Sequence, residues 1–469
     1  MVDATFHVAQ RRRRPDHPPM TSEQGTNGMP DRGAAVWFHT FGCKANQYDT
    51  ERMRQELESR GAVTVDDVAH ADTAVLNSCT VTEAADREAM RLVRRLGRRY
   101  PELRVVVAGC SSALRAAEYQ AMEQVDFVVE GHDPAAVALA VAPESGLIST
   151  HEEPIGGALL RSNRRGTRGW LKIQDGCDRK CSFCATRLAR GDSRSRDPEE
   201  IVAEARIQSE AHSELVLTGI HIGHYGHDLG TGHTLSGLAA LLLEALPGVR
   251  FRLGSIEATE IDDALVDLLV ESQGALAPHL HLPLQSGSDP VLRRMRRWHS
   301  REQYRSRVLE IAGRVSPLGL GADVIAGFPG ETPEDQAATR ELIEELPFSY
   351  LHVFPWSPRD GTHAATLPDR VEVGTAAARA RELREIGVRK GTAYATTRIG
   401  GAALVAVETP TSGLTGDYLR VRLRGPDAVP GSLRRVRLTG SAADLKAGTG
   451  ATGRAALPVL EATAPGSDG

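Results

Sequence analysis

The stretch KIQDGCDRKCSFCATRLARGDSRSR, residues 172–196, decides how the fold is interpreted. It places Cys177, Cys181 and Cys184 in a CxxxCxxC pattern directly after a short apolar run. A structural zinc site would need a fourth ligand, a His or Cys from elsewhere in the chain. An iron–sulfur cube held by three thiolates leaves one iron free for another ligand. The alternative, a coincidental group of structural cysteines, is disfavoured by this spacing.

The surrounding sequence alternates short apolar runs with longer polar segments, which predicts strands joined by helices. The runs are WLKIQD, ELVLTGI, VRFRLGSIE, LHLPLQSG, GADVIAGFPG and SYLHVFPWS, with helices predicted between them, for example at 197–211 and 301–314. This pattern favours a partial or complete α/β barrel over residues 163–390, although periodicity alone does not exclude an open sheet.

A second series of apolar runs comes earlier, in residues 34–145. The runs AVWFHT, TAVLN, LRVVVAG and VDFVVEG alternate with helix-like segments and predict a parallel α/β domain. Cys43, Cys79 and Cys110 each follow one of the first three runs. Because the carboxyl ends of parallel strands lie on one edge of a sheet, we expect the three thiols to meet there. For any one of them alone, a buried structural cysteine is the alternative.

After about residue 391 the pattern changes to strands with close turns, which predicts a small β-barrel over 391–460. Basic side chains alternate with apolar ones on two of its strands and offer one charged face: Arg420, Arg422, Arg424, Arg435 and Arg437, with Tyr418 on the same predicted face. Such a face can hold the phosphates of a nucleic acid, and an ordinary solvated strand is the alternative.

Composition limits the class of protein. The chain has 469 residues, 41% of them hydrophobic, and a formal net charge of -5, which argues against a uniformly basic nucleic-acid binder. No apolar stretch approaches the roughly 20 residues that cross a bilayer, and the start lacks an apolar signal core, so we expect a cytoplasmic protein. Residues 1–33, including an arginine run at 11–14, and 461–469 are predicted tails, and 146–162 a linker.

Seven stretches together resemble the radical S-adenosylmethionine methylthiotransferases over about residues 34–460. They are TFGCKANQYDTERM, LNSCTVTEAADR, KIQDGC, ARGDSRSR, LHLPLQSGSDPVLRRMRR, DVIAGFPGET and LHVFPWSPRDGTHAA. The resemblance implies an amino-terminal α/β domain with an auxiliary 4Fe-4S cluster. It also implies a radical S-adenosylmethionine barrel with a second 4Fe-4S cluster, followed by a small TRAM-like β-barrel that holds RNA.

By this resemblance Cys43, Cys79 and Cys110 ligate the auxiliary cluster, which carries the sulfur to be delivered. Cys177, Cys181 and Cys184 ligate the cluster that cleaves S-adenosylmethionine to a radical. One molecule of S-adenosylmethionine supplies a methyl group to the sulfur, and a second supplies the radical. The implied partners are tRNA, an electron donor such as a flavodoxin or ferredoxin, and a sulfur donor, whose identities stay open.

The substrate is predicted from two stretches. LVLTGIHIGHYGHDL and CTVTEAADR are similar to the branch of the family that acts on N6-threonylcarbamoyladenosine in tRNA. The alternatives are N6-isopentenyladenosine in tRNA and a ribosomal-protein aspartate. A different class of protein, a non-catalytic iron–sulfur RNA-binding or redox-sensing protein, would need the cysteines and the basic domain without a pocket for S-adenosylmethionine.

Further candidates lie at or near the ends of predicted barrel strands, where α/β barrels build their sites. We expect contacts with S-adenosylmethionine from Gly219, Gln285, Ser286, Asp323 and Gly327. The alternatives are that the last glycine only turns the chain and that the Gln–Ser pair caps the next helix. His221 and His224 form a possible metal pair, for which packing of the substrate loop is the favoured interpretation.

The segment after the cysteine loop holds Arg190, Arg194 and Arg196, which could neutralise an RNA phosphate or a substrate carboxylate or be solvated at the surface. In the same segment, ATRLARG departs from the IIPYARG form common in the family. Arg187 and Leu188 replace a proline and an aromatic residue, which leaves the local path of the chain open. GCSSAL and SIEATE also depart from the usual forms, and these departures bear on the substrate more than on the chemistry.

Overall fold

The computed structural model describes residues 9–10, 33–142, 159–161, 166–230, 232–424, 428–440 and 459–463. Most of the predicted linker, and both predicted tails apart from residues 9–10, 33 and 461–463, lie outside these ranges. The chain divides into two compact units. The first unit is Met1–Pro154 with Leu188–Gly191, and the second is Ile155–Arg187 with Asp192–Gly469.

The first unit is built around one six-stranded sheet, which contains the parallel α/β arrangement predicted over 34–145 and, in addition, a short strand at Ala9–Gln10 inside the predicted tail. The strands are β1 Ala9–Gln10, β2 Ala35–Thr40, β3 Val63–Thr64, β4 Thr73–Ser78, β5 Arg104–Gly109 and β6 Phe127–Val128. The helices are α1 Lys44–Ser59, α2 Glu83–Arg99, α3 Cys110–Gln120 and α4 Pro134–Val141. The strand order is β1-β6-β5-β4-β2-β3, and every pair except β1–β6 is parallel.

The central strands of this sheet are buried on both faces. Every residue of β4 is buried, because helices cover the sheet on two sides, and its sequence TAVLNS is accordingly apolar for most of its length. Thr82 begins α2 by accepting a hydrogen bond from the amide of Ala85. This helix packs on the sheet through apolar residues that share one helical face: Ala89, Leu92, Val93 and Leu96.

The second unit begins with a partial α/β barrel. The strands are β7 Gly169–Lys172, β8 Gln174–Asp175, β9 Arg194–Ser195, β10 Glu214–Thr218, β11 Arg250–Leu253, β12 His279–His281, β13 Gly319–Ala326 and β14 Tyr350–Pro355. The helices are α6 Pro198–Ser209, α7 Leu235–Ala245, α8 Asp263–Glu271, α9 Asp289–Arg294, α10 Arg301–Arg314, α11 Pro333–Glu345 and α12 Val373–Arg398, and they are preceded by α5 Thr186–Arg190, whose residues from Leu188 onward belong to the first unit.

Six of these strands run parallel in chain order. Strands β7, β10 and β11 form one sheet and β12, β13 and β14 another, and a parallel bridge between Ser255 and His281 joins the two. No strand pairing closes β14 onto β7 within the described ranges, so the barrel is partial. Apolar residues of its strands and helices form one large buried cluster that is rich in leucine, isoleucine and valine.

A small closed β-barrel ends the second unit. Its strands are β15 Ala402–Thr409, β16 Ser412–Thr415, β17 Arg420–Leu423, β18 Leu433–Thr439 and β19 Val459–Thr463, in the closed order β15-β16-β17-β19-β18. Helix α12 leads into it and continues eight residues past the predicted boundary at 390. Among the described helices, none is both long and apolar enough to cross a membrane.

A buried charge network joins the partial barrel to the small β-barrel. Glu214 bonds to Arg250 (2.5 Å) and Arg252 (2.9 Å), and all three side chains are almost completely buried. The two guanidiniums also donate to backbone carbonyls of the small barrel, Arg250 to Leu404 (2.6 Å) and Arg252 to Gly416 (2.7 Å). Although burial alone would raise it, the two guanidiniums hold the pKa of Glu214 well below its ordinary range.

Candidate metal centres

The structure brings Cys43, Cys79 and Cys110 together at one edge of the first unit, and we call this group the first thiol site. Cys43 lies at the start of α1, Cys79 directly follows β4, and Cys110 is the first residue of α3. The exposed fraction falls from Cys43, which is exposed, to Cys79 (2%) and Cys110 (5%). The sequence-based expectation that carboxyl ends of parallel strands gather these thiols agrees with this arrangement.

Glycines allow the chain to turn at this edge. Gly42 has a φ of +93°, and a Cβ added to it would overlap the side chain of Cys79. Gly109 has a φ of +101°, and its added Cβ would overlap the backbone of Ser78. Both positions therefore combine a left-handed backbone with a close approach that only glycine permits. Each stands immediately before a cysteine, which is a sequence signal that the cysteine pattern alone does not use.

The three thiols affect each other's ionisation. Burial raises the pKa of Cys79 to about 12, and the neighbouring Cys43 and Cys110 add to this rise. Burial also raises the pKa of Cys110 to about 11, although the adjacent Arg190 guanidinium acts in the opposite direction. Three thiolates this close are stable together only when positive charge joins them, which is what a metal centre supplies.

A buried polar network lies beneath the first thiol site. Asn46 is completely buried and donates its amide protons to the carbonyls of Phe41 (3.0 Å) and Ser78 (2.9 Å). Its Oδ1 atom accepts from Arg190 at 2.7 Å. Arg190 also donates to the Asp49 carboxylate at 2.7 Å and to Cys110 Sγ at 3.2 Å. The sequence analysis did not select Asn46 or Asp49. For Arg190 it considered an RNA phosphate, a substrate carboxylate or the surface, and it did not predict the contacts with these two residues.

The three arginines after the cysteine loop differ in environment. Arg190 contacts the first thiol site, as described above, and is 3% exposed. Arg196 is also buried and donates to Glu204 at 3.0 Å and to the carbonyl of Lys172 at 2.8 Å. Arg194 on β9 is exposed. The alternative of solvation at the surface is therefore wrong for Arg190 and Arg196 and agrees with the exposure of Arg194.

The second thiol site consists of Cys177, Cys181 and Cys184 in the loop after β8, all partly exposed. Packing fixes this loop: Phe183 lies against Phe328 with ring centres 6.4 Å apart, and Ser182 donates to the carbonyl of Arg294 at 2.7 Å. Burial raises the pKa of Cys177 to about 12, and the other two thiols add to the rise. As in the first site, the thiols lie close enough for their charges to interact.

Polar and aromatic side chains surround the second thiol site. His221 Nδ1 lies 3.7 Å from Cys177 Sγ, and its Nε2 lies 2.8 Å from Glu260. Arg179 donates to the same glutamate at 2.7 Å and lies over the ring of Trp298 at 4.1 Å. The His224 ring stacks on His221 at 4.3 Å. The two histidines and Glu260 have a geometry that could hold a cation, and their present partners are protein groups.

The predicted contacts with S-adenosylmethionine lie in different environments. The Asp323 carboxylate is held by His281 (3.1 Å) and His352 (3.2 Å), and these histidines lower its pKa although burial alone would raise it. Gln285 has a φ of +65° and bridges to β13. The remaining three are close-packed. A Cβ added to Gly219 would lie 2.7 Å from the Gln174 carbonyl oxygen, and a Cβ added to Gly327 would overlap Ala376. The Ser286 hydroxyl lies 3.2 Å from the hydroxyl of Thr339.

The basic residues of the small β-barrel are exposed on β17, β18 and the residue that follows β17: Arg420, Arg422, Arg424, Arg435 and Arg437. Glu461 of β19 pairs with Arg422 at 3.3 Å and also with Arg424. Tyr418 does not share their face. Its φ is +69°, and its ring stacks on His279 of the partial barrel at 4.2 Å.

The residues of both sites fit iron–sulfur clusters. All six cysteines are free, and they fall into two sets of three. Within the described residues no fourth thiol joins either set, so a cube bound there would retain one iron for another ligand. Cys43 and Cys110 also begin helices of 16 and 11 residues, whose amino-terminal dipoles favour the thiolate form that iron binds.

Comparisons with known proteins agree with this division. The model of the uncharacterized protein family UPF0004 matches residues 35–130, and that of the Radical SAM superfamily matches residues 171–343. The chain is 35% identical to the threonylcarbamoyladenosine tRNA methylthiotransferase MtaB of Bacillus subtilis, over 86% of this chain and 94% of that protein. It is 33% identical to the protein of the same name from Aquifex aeolicus, over 86% and 99%.

A relative with a different name is also similar. The chain is 30% identical to the tRNA-2-methylthio-N(6)-dimethylallyladenosine synthase of Geobacillus thermodenitrificans, over 87% of this chain and 82% of that protein. Because each covers 86–87% of this chain, these three similarities extend into both units. The chain therefore belongs to the radical S-adenosylmethionine methylthiotransferase family, whose cofactors are S-adenosylmethionine and 4Fe-4S clusters.

Proposed function

We propose that this enzyme inserts a methylthio group at C2 of N6-threonylcarbamoyladenosine beside the anticodon of tRNA, giving the 2-methylthio nucleoside. The observation that carries the choice of substrate is the 35% identity to a relative named for threonylcarbamoyladenosine, over 94% of that relative. The similarity to the dimethylallyladenosine enzyme is lower, at 30% over 82%. That difference favours the threonylcarbamoyl substrate.

In this proposal each thiol site holds one 4Fe-4S cluster. Cys43, Cys79 and Cys110 hold the auxiliary cluster, and the CxxxCxxC cysteines hold the cluster that binds S-adenosylmethionine. When bound, the clusters and S-adenosylmethionine supply the electron transfer, the hydrogen abstraction and the sulfur that methylthiolation needs. The remaining work of binding, orientation and water exclusion belongs to the side chains around them.

At the first thiol site the chain supplies charge and fixed orientation. Arg190 places its guanidinium 3.2 Å from Cys110 Sγ, where it stabilises the deprotonated sulfur. Asn46 holds the carbonyls of Phe41 and Ser78, which lie two residues before Cys43 and one before Cys79. Movement of either cysteine therefore requires a break in this network, and the site is set before a cluster enters it.

At the second site the chain supplies groups that orient polar ligands. Gln285 and Asp323 are proposed to contact S-adenosylmethionine, because the former adopts a left-handed backbone at the edge of the barrel and the latter carries a charge fixed by two histidines. Gly219, Ser286 and Gly327 stay weaker candidates, because their surroundings also explain them as packing positions.

We propose that the exposed arginines of the small β-barrel hold the RNA. Arg420, Arg435 and Arg437 are exposed, and no ion pair is present for them within the described residues, so they can bind phosphates by charge without reading sequence. Arg422 and Arg424 share Glu461 and would contribute less. As an enzyme of tRNA it would act in the cytoplasm, with a flavodoxin or ferredoxin and a sulfur donor as further proposed partners.

Mass spectrometry of tRNA nucleosides tests the proposal directly. Cells lacking the gene should lose 2-methylthio-N6-threonylcarbamoyladenosine and accumulate its precursor, and the intact gene should restore it. Cys181→Ala and Cys79→Ala should each fail to restore it. Loss of the 2-methylthio form of isopentenyladenosine, or of a methylthio group on a ribosomal protein, would instead identify another substrate and overturn the choice made here.

A further inference from the structure

The exposed face of α2, in the first unit, carries a concentration of charge that the proposed function does not use. From residue 87 to the end of the helix at residue 99, seven side chains are exposed: Arg87, Glu88, Arg91, Arg94, Arg95, Arg98 and Arg99. Six of the seven are arginines. The chain as a whole has a net charge of -5, so this local excess does not follow from its composition.

Four of these arginines form one row along the helix. With 3.6 residues per turn, Arg87, Arg91, Arg94 and Arg98 fall within about 60° of arc and extend over about 16 Å. Arg87 is paired with Glu83 at 3.4 Å. Within the part of the chain that the structure describes, no carboxylate forms an ion pair with the other three. We call Arg91, Arg94 and Arg98 the α2 arginine row.

The row is unfavourable for the helix itself. Like charges three or four residues apart destabilise a helix by about 0.2–0.5 kcal/mol per pair. A favourable interaction with the helix dipole offsets this only for cations in the last turn, which includes Arg98 and Arg99. Arg91 and Arg94 lie earlier, where that effect has decayed. The stability of α2 therefore does not account for these two arginines, and an external anion would offset their mutual repulsion.

The chemistry of the face favours a phosphate backbone over an acidic protein. Stable protein interfaces contain apolar or aromatic side chains at their centre. Here the exposed side chains from residue 87 to 99 are arginines and one glutamate, while the apolar residues of α2 point into the core of the first unit. A regularly charged helix face whose exposed side chains are all polar matches a polyanion, which is held by charge at several points.

We infer that the α2 arginine row is a second RNA-binding surface, located on the first unit, that holds backbone phosphates of the tRNA. This inference rests on the proposed function, because it takes tRNA as the substrate. It assigns to the first unit a role in holding RNA in addition to the thiol site, and it does not require base recognition. The row would set the affinity and the salt dependence of binding and leave the choice of nucleoside to the catalytic site.

Binding measurements on the cluster-loaded enzyme test this inference. The variant Arg91→Gln/Arg94→Gln/Arg98→Gln removes the row while keeping a good helix former at each position. The matched control Arg305→Gln/Arg314→Gln/Arg340→Gln removes the same charge from arginines, the first half-buried and the other two exposed, that are already paired with Glu345, Asp267 and Glu382. The dissociation constant of an unmodified tRNA transcript is measured for each from 50 to 300 mM KCl.

We expect the row variant to bind the tRNA transcript on the order of tenfold or more weakly than the wild type. The slope of log affinity against log salt concentration should decrease in magnitude by about two, because each lost phosphate contact removes roughly 0.7–0.9. The control should match the wild type. Equal affinity and slope for all three proteins would overturn the inference. Unchanged tRNA binding with slower turnover from reduced flavodoxin, but not from dithionite, would overturn it in favour of an acidic protein. Failure of the wild type to bind tRNA would overturn the proposed function as well.

Discussion

Replacement of Arg190 by Gln should loosen the first thiol site and destabilise the first unit. The Arg190 side chain is completely buried, and it donates to Asp49, Asn46 and Cys110 at 2.7, 2.7 and 3.2 Å. Glutamine is shorter and uncharged, so it cannot reach all three groups. The substitution leaves the Asp49 carboxylate, whose side chain is 4% exposed, without its guanidinium.

The magnitude follows from this burial. Removal of one partner from a buried ion pair costs about 3–5 kcal/mol, because the other charge stays in a medium of low dielectric constant. A domain is stable by only about 5–15 kcal/mol in total. Arg190→Gln should therefore remove a large share of the stability of the first unit and should lower its iron content, since Cys110 loses the cation that favours its thiolate.

Hydrogen exchange read by mass spectrometry separates the units, because peptides from β4 and β5 report opening of the first unit alone. We expect their opening free energy to fall by about 3–5 kcal/mol in Arg190→Gln, with a parallel loss of iron. The control is Arg196→Gln, which breaks the fully buried Arg196–Glu204 pair of the second unit. In this control variant, hydrogen exchange in β4 and β5 should be as slow as in the wild type.

A double-variant cycle can refute the reasoning. In Asp49→Asn/Arg190→Gln both charges are gone, so the double variant should be less costly than the sum of the single variants by about 1–3 kcal/mol. Additive effects, or a loss below about 1 kcal/mol in the single Arg190→Gln variant, would show that the ion pair does not hold this site together.

Three further outcomes are expected. Gly42→Ala should abolish iron binding at the first thiol site, whereas Gly61→Ala, with a similar φ of +88° but open space around it, should cost only about 1 kcal/mol and keep the iron. In iron-free protein, iodoacetamide should alkylate the exposed Cys43 well before Cys79, whose pKa is raised to about 12; equal rates would contradict the burial described. The folded-state pKa of Glu214 lies below its ordinary 4.5, so the stability that this carboxylate contributes is present above pH 4.5 and is lost as the pH falls below it. The unfolding temperature of the second unit should therefore fall more steeply with decreasing pH below 4.5 in the wild type than in Glu214→Gln.

Much of the fold could be predicted because its signals are local. Apolar runs of strand length alternate with helical segments in both α/β regions, and the change to close turns after residue 391 separates the small β-barrel. The cysteines could be placed for the same reason, since a residue that follows a strand of a parallel sheet must lie on one edge. The end of α12 was predicted too early, because Lys390 followed by Gly391 has the form of a helix end, whereas Gly391 is buried inside a helix that continues to Arg398.

Burial of charge is what the sequence could not show. ARGDSRSR has the composition of an exposed loop, and yet Arg190 and Arg196 are among the most buried arginines of the chain. The partner of Arg196 is eight residues away on α6, but the partner of Arg190 is 141 residues away in sequence. Tyr418 illustrates the same limit, because period-two alternation assigned it to a face of β17, while its left-handed backbone directs it to His279.

The polar residues of α1 did carry a readable signal. Asn46 and Asp49 stand three and six residues after Cys43, so both lie on the helix face that follows the cysteine through two turns. Both are buried, and both bond to Arg190. An ordinary helix presents apolar residues to a core, and a buried amide and carboxylate require partners that compensate for their desolvation. Polar residues on the buried face of a helix that begins with a cysteine therefore indicate a buried polar network that orients the thiol, and here that network is completed by a distant arginine.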